Sequence, residues 1–170
     1  MKMIATLTMA ALATTALAEM PASGDAFLQK AAQGNITEIQ AGELAQNKAT
    51  TDAVKRFGAM MVEQHTTARD KVEALAKRKN VQIPAAPSQE QKATLDKLQA
   101  AEGPRFDQTY VAEMVKSHER TLAMLKSEIS SGRDPDTKAL AQEILPTVQS
   151  HLREAYRLSG KDEAAAQQPQ

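Results

Sequence analysis

Phe57-Gly58-Ala59-Met60-Met61-Val62-Glu63-Gln64-His65 and Tyr110-Val111-Ala112-Glu113-Met114-Val115-Lys116-Ser117-His118 are one pattern written twice. Each opens on an aromatic ring, reaches Met-Val four and five positions on, and closes on histidine at the ninth residue. Extended both ways, the first gives the stripe Val54, Phe57, Met61, His65, Ala68, Val72, Leu75. The second gives Phe106, Tyr110, Met114, His118, Leu122, Leu125, Ile129. Steps of three and four keep these residues on one side of an α-helix. Lys55, Arg56, Glu63, Arg69, Asp70, Glu73 and Lys77 take the opposite side of the first, so each pattern is a surface helix with one buried face.

Two more long helices follow by the same spacing. Phe27, Ala31, Gly34, Ala41 and Ala45 share a face from about Asp25 to Lys48, with Glu38 in the middle of it and Ser23 or Asp25 as cap. Gly34 and Gly42 each lower helix propensity by about 1 kcal/mol, a cost that close approach of a neighbouring helix or bulky side chain would offset. The last helix starts at Asp134-Pro135-Asp136, with Asp as N-cap and Pro in the first turn. Its stripe is Leu140, Ile144, Val148, His151, Ala155, Leu158, and Pro146 inside it predicts a kink. Ser131-Gly132-Arg133 closes the preceding helix, with glycine suited to a left-handed end.

Four stripes and no strand alternation predict an all-α four-helix bundle. The long connection from Asn80 to Pro104 carries a short extra helix, opened by the capping box Ser88-Gln89-Glu90-Gln91 and ended by Gly103-Pro104. A connection of this length can cross the bundle end to end and make the second and third long helices parallel, the ferritin-like arrangement; an up-down-up-down order fits as well.

The N-terminus predicts an exported protein. Lys2 precedes the apolar run Met3 to Leu17, and Ala16-Leu17-Ala18 fits a signal-cleavage site before Glu19. The run is shorter than the roughly 20 residues of a membrane span. The expected organisation is therefore a signal peptide at 1–18, an extension at 19–24, the helical domain at 25–159 and a disordered polar tail at 160–170. Localisation is expected to be periplasmic or secreted, with no membrane span after cleavage. The 21 Lys+Arg balance 21 Asp+Glu, which gives no support to nucleic acid or an anionic membrane as partner. The absence of cysteine excludes disulfides, redox thiols and zinc-thiolate sites.

The chain has three histidines, and all follow Val-x-x-His, the third in Val148-Gln149-Ser150-His151. Glu38, His65 and His118 fall near their helix midpoints and His151 about four residues past its own, roughly 6 Å along the axis. The four are therefore candidates for one polar layer in the core. Neutral imidazoles and a carboxylate suit Fe, Zn, Mn or Cu. A hydrogen-bonded cluster in which Glu38 accepts from imidazoles, with no bound cofactor, explains the same residues, as do unrelated histidines at the stripe edges. Val62, Val115 and Val148 stand where a Glu-x-x-His di-iron motif would need glutamate. Ser117 and Ser150 should turn about 100° away from the adjacent histidine, against a serine-histidine nucleophile pair. Met60, Met61, Met114 and Met124 sit at helical spacing and read as core filler.

The segments Phe27-Leu28-x-x-Ala31-Ala32-x-Gly34-x-x-x-Glu38-Ile39, Val54-Lys55-x-Phe57, Phe106-Asp107-x-x-Tyr110-x-x-x-Met114-Val115-x-x-His118 and Leu145-Pro146-x-x-x-x-His151-Leu152 resemble the bacterial family called domain of unknown function 4142. The resemblance runs from Phe27 to Leu158 and implies an exported, ferritin-like bundle without an established activity. The missing Glu-x-x-His pairs weigh against ferroxidase chemistry. These readings together lead to a non-enzymatic binding or stress-related envelope protein whose Glu/His layer sets stability or binds a metal. A metal-dependent oxidase and a purely structural domain docking an envelope partner are the alternatives.

Overall fold

The computed structural model describes residues 23–160, so the expected signal segment and most of the polar tail lie outside the described residues. Five helices follow one another: α1 (Ser23–Lys48), α2 (Asp52–Lys79), α3 (Gln89–Ala100), α4 (Gly103–Ser131) and α5 (Pro135–Leu158). No strand occurs among the described residues. The boundaries are chemical. Thr51 caps α2, and Asn80 ends it in the left-handed region at φ 55°. Ser88 and Gln91 form the expected reciprocal box on α3. Asp134 accepts from the amides of Asp136 and Thr137 at the start of α5, which continues through Pro146.

The helix path follows from which ends meet. The Asp107 carboxylate, near the start of α4, accepts the backbone N–H of Thr50 at 2.8 Å and of Thr51 at 3.0 Å, along with both hydroxyls. The start of α4 thus lies at the start of α2. At the opposite end, Lys79 at the close of α2 pairs with Asp134 before α5, and Gly24 of α1 lies against Asp134 and Thr137. So α1 and α5 run one way, α2 and α4 the other, and the connection carrying α3 crosses back along the bundle. α3 runs antiparallel to α4, with Arg120 on Glu90 at 2.8 Å and Lys97 on Glu113 at 2.6 Å. α1 packs on α2 and α4 packs on α5 as two antiparallel hairpins.

α1 and α2 cross at glycines. A Cβ on Gly42 would lie 2.7 Å from the Gly58 carbonyl oxygen, and one on Gly58 would lie 2.8 Å from the Gly42 oxygen. Gly34 differs from the expected reason for its presence, because an added Cβ there would meet nothing within 4 Å. Gly132 also departs from expectation. Its φ is −59°, not left-handed, and what demands glycine is the Glu128 backbone and side chain pressed against it.

The core has two apolar halves. One holds Phe57, Met61, Phe106, Tyr110, Met114 and Leu152, with the Tyr110 ring 6.1 Å from Phe57 and 6.0 Å from Phe106. The other holds Phe27, Leu28, Val72, Leu75, Leu125 and Val148. Each large side chain so buried contributes roughly 1.5–3 kcal/mol. The methionines behave as core filler: Met61 and Met114 are buried, Met60 and Met124 half-buried. Between the halves, along α2, α4 and α5, come the histidines.

Candidate metal centre

His65, His118 and His151 are all buried, at 7%, 1% and 1% exposure, which removes the reading that places them at solvated stripe edges. They come from α2, α4 and α5 and converge. Their rings lie 5.2 to 5.7 Å apart by centroid. One nitrogen from each lies within 4.8 Å of the other two.

The outer nitrogen of each ring meets an oxygen. His65 Nδ1 lies 2.9 Å from Asn35 Oδ1, His118 Nδ1 lies 2.8 Å from the Met114 carbonyl, and His151 Nε2 lies 2.8 Å from Gln64 Oε1. Carbonyl and side-chain amide oxygens only accept, so with these partners each outer nitrogen carries the proton and donates. In a neutral imidazole the other nitrogen then bears a lone pair. Those inner nitrogens are His65 Nε2, which is buried without a hydrogen-bond partner, and His118 Nε2 and His151 Nδ1, which face each other at 3.2 Å. Two lone pairs at that distance repel, unless a cation lies between them or the Gln64 amide turns over to donate to His151. Two nitrogens bound to one tetrahedral metal at 2.0–2.1 Å stand about 3.3 Å apart.

Electrostatics hold the rings neutral. Burial, and then the charges of the two neighbouring imidazoles, press His65 well below its usual value. Burial lowers His118 to about 4 against the pull of the Met114 carbonyl. Burial and His118 lower His151 to about 3. Neutral imidazole is the form that ligates.

Glu38 is buried at 7% exposure on α1, yet it stands outside the converging ligand atoms. Ser117 is its hydrogen-bonding neighbour, and burial lifts its carboxyl to about 7 against that bond. Its Oε2 has no partner. The expectation that Glu38 accepts from the imidazoles gives way to Asn35, one turn earlier on the same helix, and to Gln64. Neither residue stood out in the sequence, although Asn35 lies three positions before Glu38 and Gln64 directly before His65. Ser117 also differs from expectation. Its Oγ reaches to 3.2 Å from His118 Nδ1, but that nitrogen is committed to the Met114 carbonyl and cannot take the serine proton.

A cavity of about 350 Å³ adjoins the centre, with His65, His151 and Glu38 among its lining and Phe27, Ile144 and Val148 in its wall. A second, of about 370 Å³ between α1, α3 and α4, shares Lys30, Gly34, Glu38, Thr121 and Met124 with the first.

The family model described as "Domain of unknown function (DUF4142)" matches residues 8–158. Among proteins of curated function, none matches the chain. Two solved structures are similar in fold. A DUF305 fragment from Deinococcus radiodurans superposes with a TM-score of 0.73 at 15% identity, covering 83% of this chain and 97% of that one. A DUF305 protein from Streptomyces coelicolor gives 0.70 at 14%, covering 84% and 95%. At such identities the likeness concerns the fold alone.

Proposed function

Because the chain belongs to the DUF4142 family, whose description assigns no activity, we propose from the site itself that it is an exported protein that binds one transition-metal ion through His65, His118 and His151. The observation that carries this reading is the direction of the three rings: every outer nitrogen has an oxygen at 2.8 to 2.9 Å, and the inner nitrogens meet. Acceptors behind the rings fix the tautomer and orientation of ligating imidazoles. A hydrogen-bonded cluster without metal would leave His65 Nε2 unsatisfied in the core, at about 1–3 kcal/mol.

Imidazole donors suit zinc, copper and iron. The crossover path of α3 is the one ferritin-like bundles use, and those bundles place metals between facing core helices. Here three neutral imidazoles replace the bridging carboxylates, so binding rather than di-iron oxygen chemistry is the role proposed. Export rests on the reading of residues 1–18. No described helix is long and apolar enough to cross a membrane.

The test is metal content. The mature protein, purified without an affinity tag, is incubated with Zn(II), Cu(II), Fe(II) or Mn(II), dialysed and analysed beside a His65→Ala/His118→Ala variant. About one ion per wild-type chain, absent from a variant that keeps its helical circular dichroism, is the expected result. Wild type that retains no metal, or a variant that retains as much, removes the proposal.

A further inference from the structure

Gly34 has no packing reason to be glycine. It sits mid-helix, where glycine lowers propensity, and a Cβ there would meet no atom within 4 Å. It borders both cavities. What its missing side chain leaves open is space beside the histidines.

That space has a defined chemistry. Phe27, Ile144 and Val148 line it as an apolar wall, and the imidazoles of His65 and His151 form its polar corner. Glu38 borders it with Oε2 unpartnered, the residue itself more than nine-tenths buried. A volume of about 350 Å³ lies at the small end of ligand sites and equals about a dozen water volumes. Among the other lining residues Lys71 pairs with Glu143 at 2.7 Å, and Lys30 and Glu63 are exposed.

Three protein ligands leave a fourth tetrahedral position, as catalytic and ligand-exchanging zinc sites do. Three neutral imidazoles add no negative charge to offset a divalent ion, and the buried Glu38 carboxyl bordering the cavity can supply only one, so part of the ion's charge stays uncompensated in the core, where an isolated charge is expensive. The missing ligand should therefore be an anion. With an apolar wall behind it, the anion should carry an apolar body.

We infer that the cavity beside the histidines is a ligand chamber for the metal centre and takes a small aliphatic monocarboxylate, its head in the open coordination position and its chain along Phe27, Ile144 and Val148. This inference rests on the metal-binding reading above.

The experiment uses the mature chain loaded with Co(II), whose visible spectrum reports its coordination, titrated with acetate, butyrate and hexanoate. Each acid should perturb the spectrum saturably, with affinity rising about fourfold per added methylene. Gly34→Leu places a side chain in the open space and leaves all three histidines in the chain. It should keep the Co(II) spectrum, bind acetate within about twofold of wild type, and weaken hexanoate by more than tenfold. Ala68→Leu, from α2 on the same lining, should act alike and stands in should the first variant misfold. A Co(II) protein whose spectrum ignores all three acids, equal affinities along the series, or filled variants that bind hexanoate normally would each overturn the chamber while leaving the metal site intact. Failure to bind Co(II) at all would instead remove the metal reading, and the chamber with it.

Discussion

His118 Nε2 and His151 Nδ1 face each other at 3.2 Å while the far nitrogen of each ring is already engaged with an oxygen. A cation between the rings relieves the facing lone pairs; without one, the Gln64 amide must turn over so that His151 Nδ1 can donate to His118 Nε2.

The oxygens behind the rings should therefore matter to metal affinity without touching the metal. Asn35→Leu and Gln64→Leu remove the acceptors of His65 and His151. Each should weaken Zn(II) binding by about 10–100-fold, read by competition with a chelating dye. Unchanged affinity in both would mean that the rings orient without them.

Acid should unfold the metal-free protein. The three histidines have folded pKa values below the unfolded value, so the unfolded chain binds more protons once pH falls below about 6.5. Stability is then lost as pH drops toward the folded values of about 4 for His118 and about 3 for His151. Glu38 acts in the opposite sense. Its folded value of about 7 lies above its ordinary value of 4.5, so its contribution is present below 4.5 and is lost as pH rises to 7. Between those limits three groups outweigh one, and the net slope is on the order of 2–3 kcal/mol per pH unit. Denaturant midpoints from pH 5 to 8 give the slope. Glu38→Gln should stabilise relative to wild type at pH 8 and much less at pH 5. Equal effects at both values would contradict a buried carboxyl that resists ionisation.

The glycines of α1 and α2 should separate cleanly. Gly42→Ala and Gly58→Ala thrust a methyl against backbone at the helix crossing and should destabilise by about 1–3 kcal/mol. Gly34→Ala meets open space and should stabilise by up to about 1 kcal/mol. Thermal melts of the three, in metal-free buffer, should move Tm in opposite directions.

Asp107 joins the start of α4 to the turn between α1 and α2. Burial alone would raise its carboxyl, but the N–H and hydroxyl donors of Thr50 and Thr51 prevail and hold it below the usual range. Asp107→Ala leaves those donors unpaired and should lower stability by about 2–3 kcal/mol. Its loss should be larger at pH 7 than in acid below the carboxyl's folded pKa, where the wild type is protonated too. An equal loss across that range would show that shape rather than charge is what Asp107 supplies.

The helices were legible because their signals are local. Ser88 and Asp134 cap where capping chemistry predicts, and stripes at three- and four-residue steps bury Phe57, Tyr110 and Val148 alike. The histidine cluster was legible for the same reason: mid-helix residues on buried faces meet at one level. Its partners were not. Whether Glu38 or Asn35 accepts from His65 depends on the rotation of α1 against α2, which the Gly42–Gly58 crossing sets and no single helix encodes. The parallel run of α2 and α4 stayed open in the sequence because the stripes have no direction. It is fixed by end-to-end partners, Asp107 with Thr50 and Lys79 with Asp134.

The crossing connection also divides the ligand set. His65 belongs to the hairpin of α1 and α2, His118 and His151 to that of α4 and α5, and the covalent link between the hairpins is the connection of residues 80–102 that carries α3. Cut within that segment, the chain becomes two fragments, each self-paired through its own turn but holding an incomplete set of imidazoles. Their reassembly would then respond to the supply of metal, as a heterodimer that a chelator takes apart.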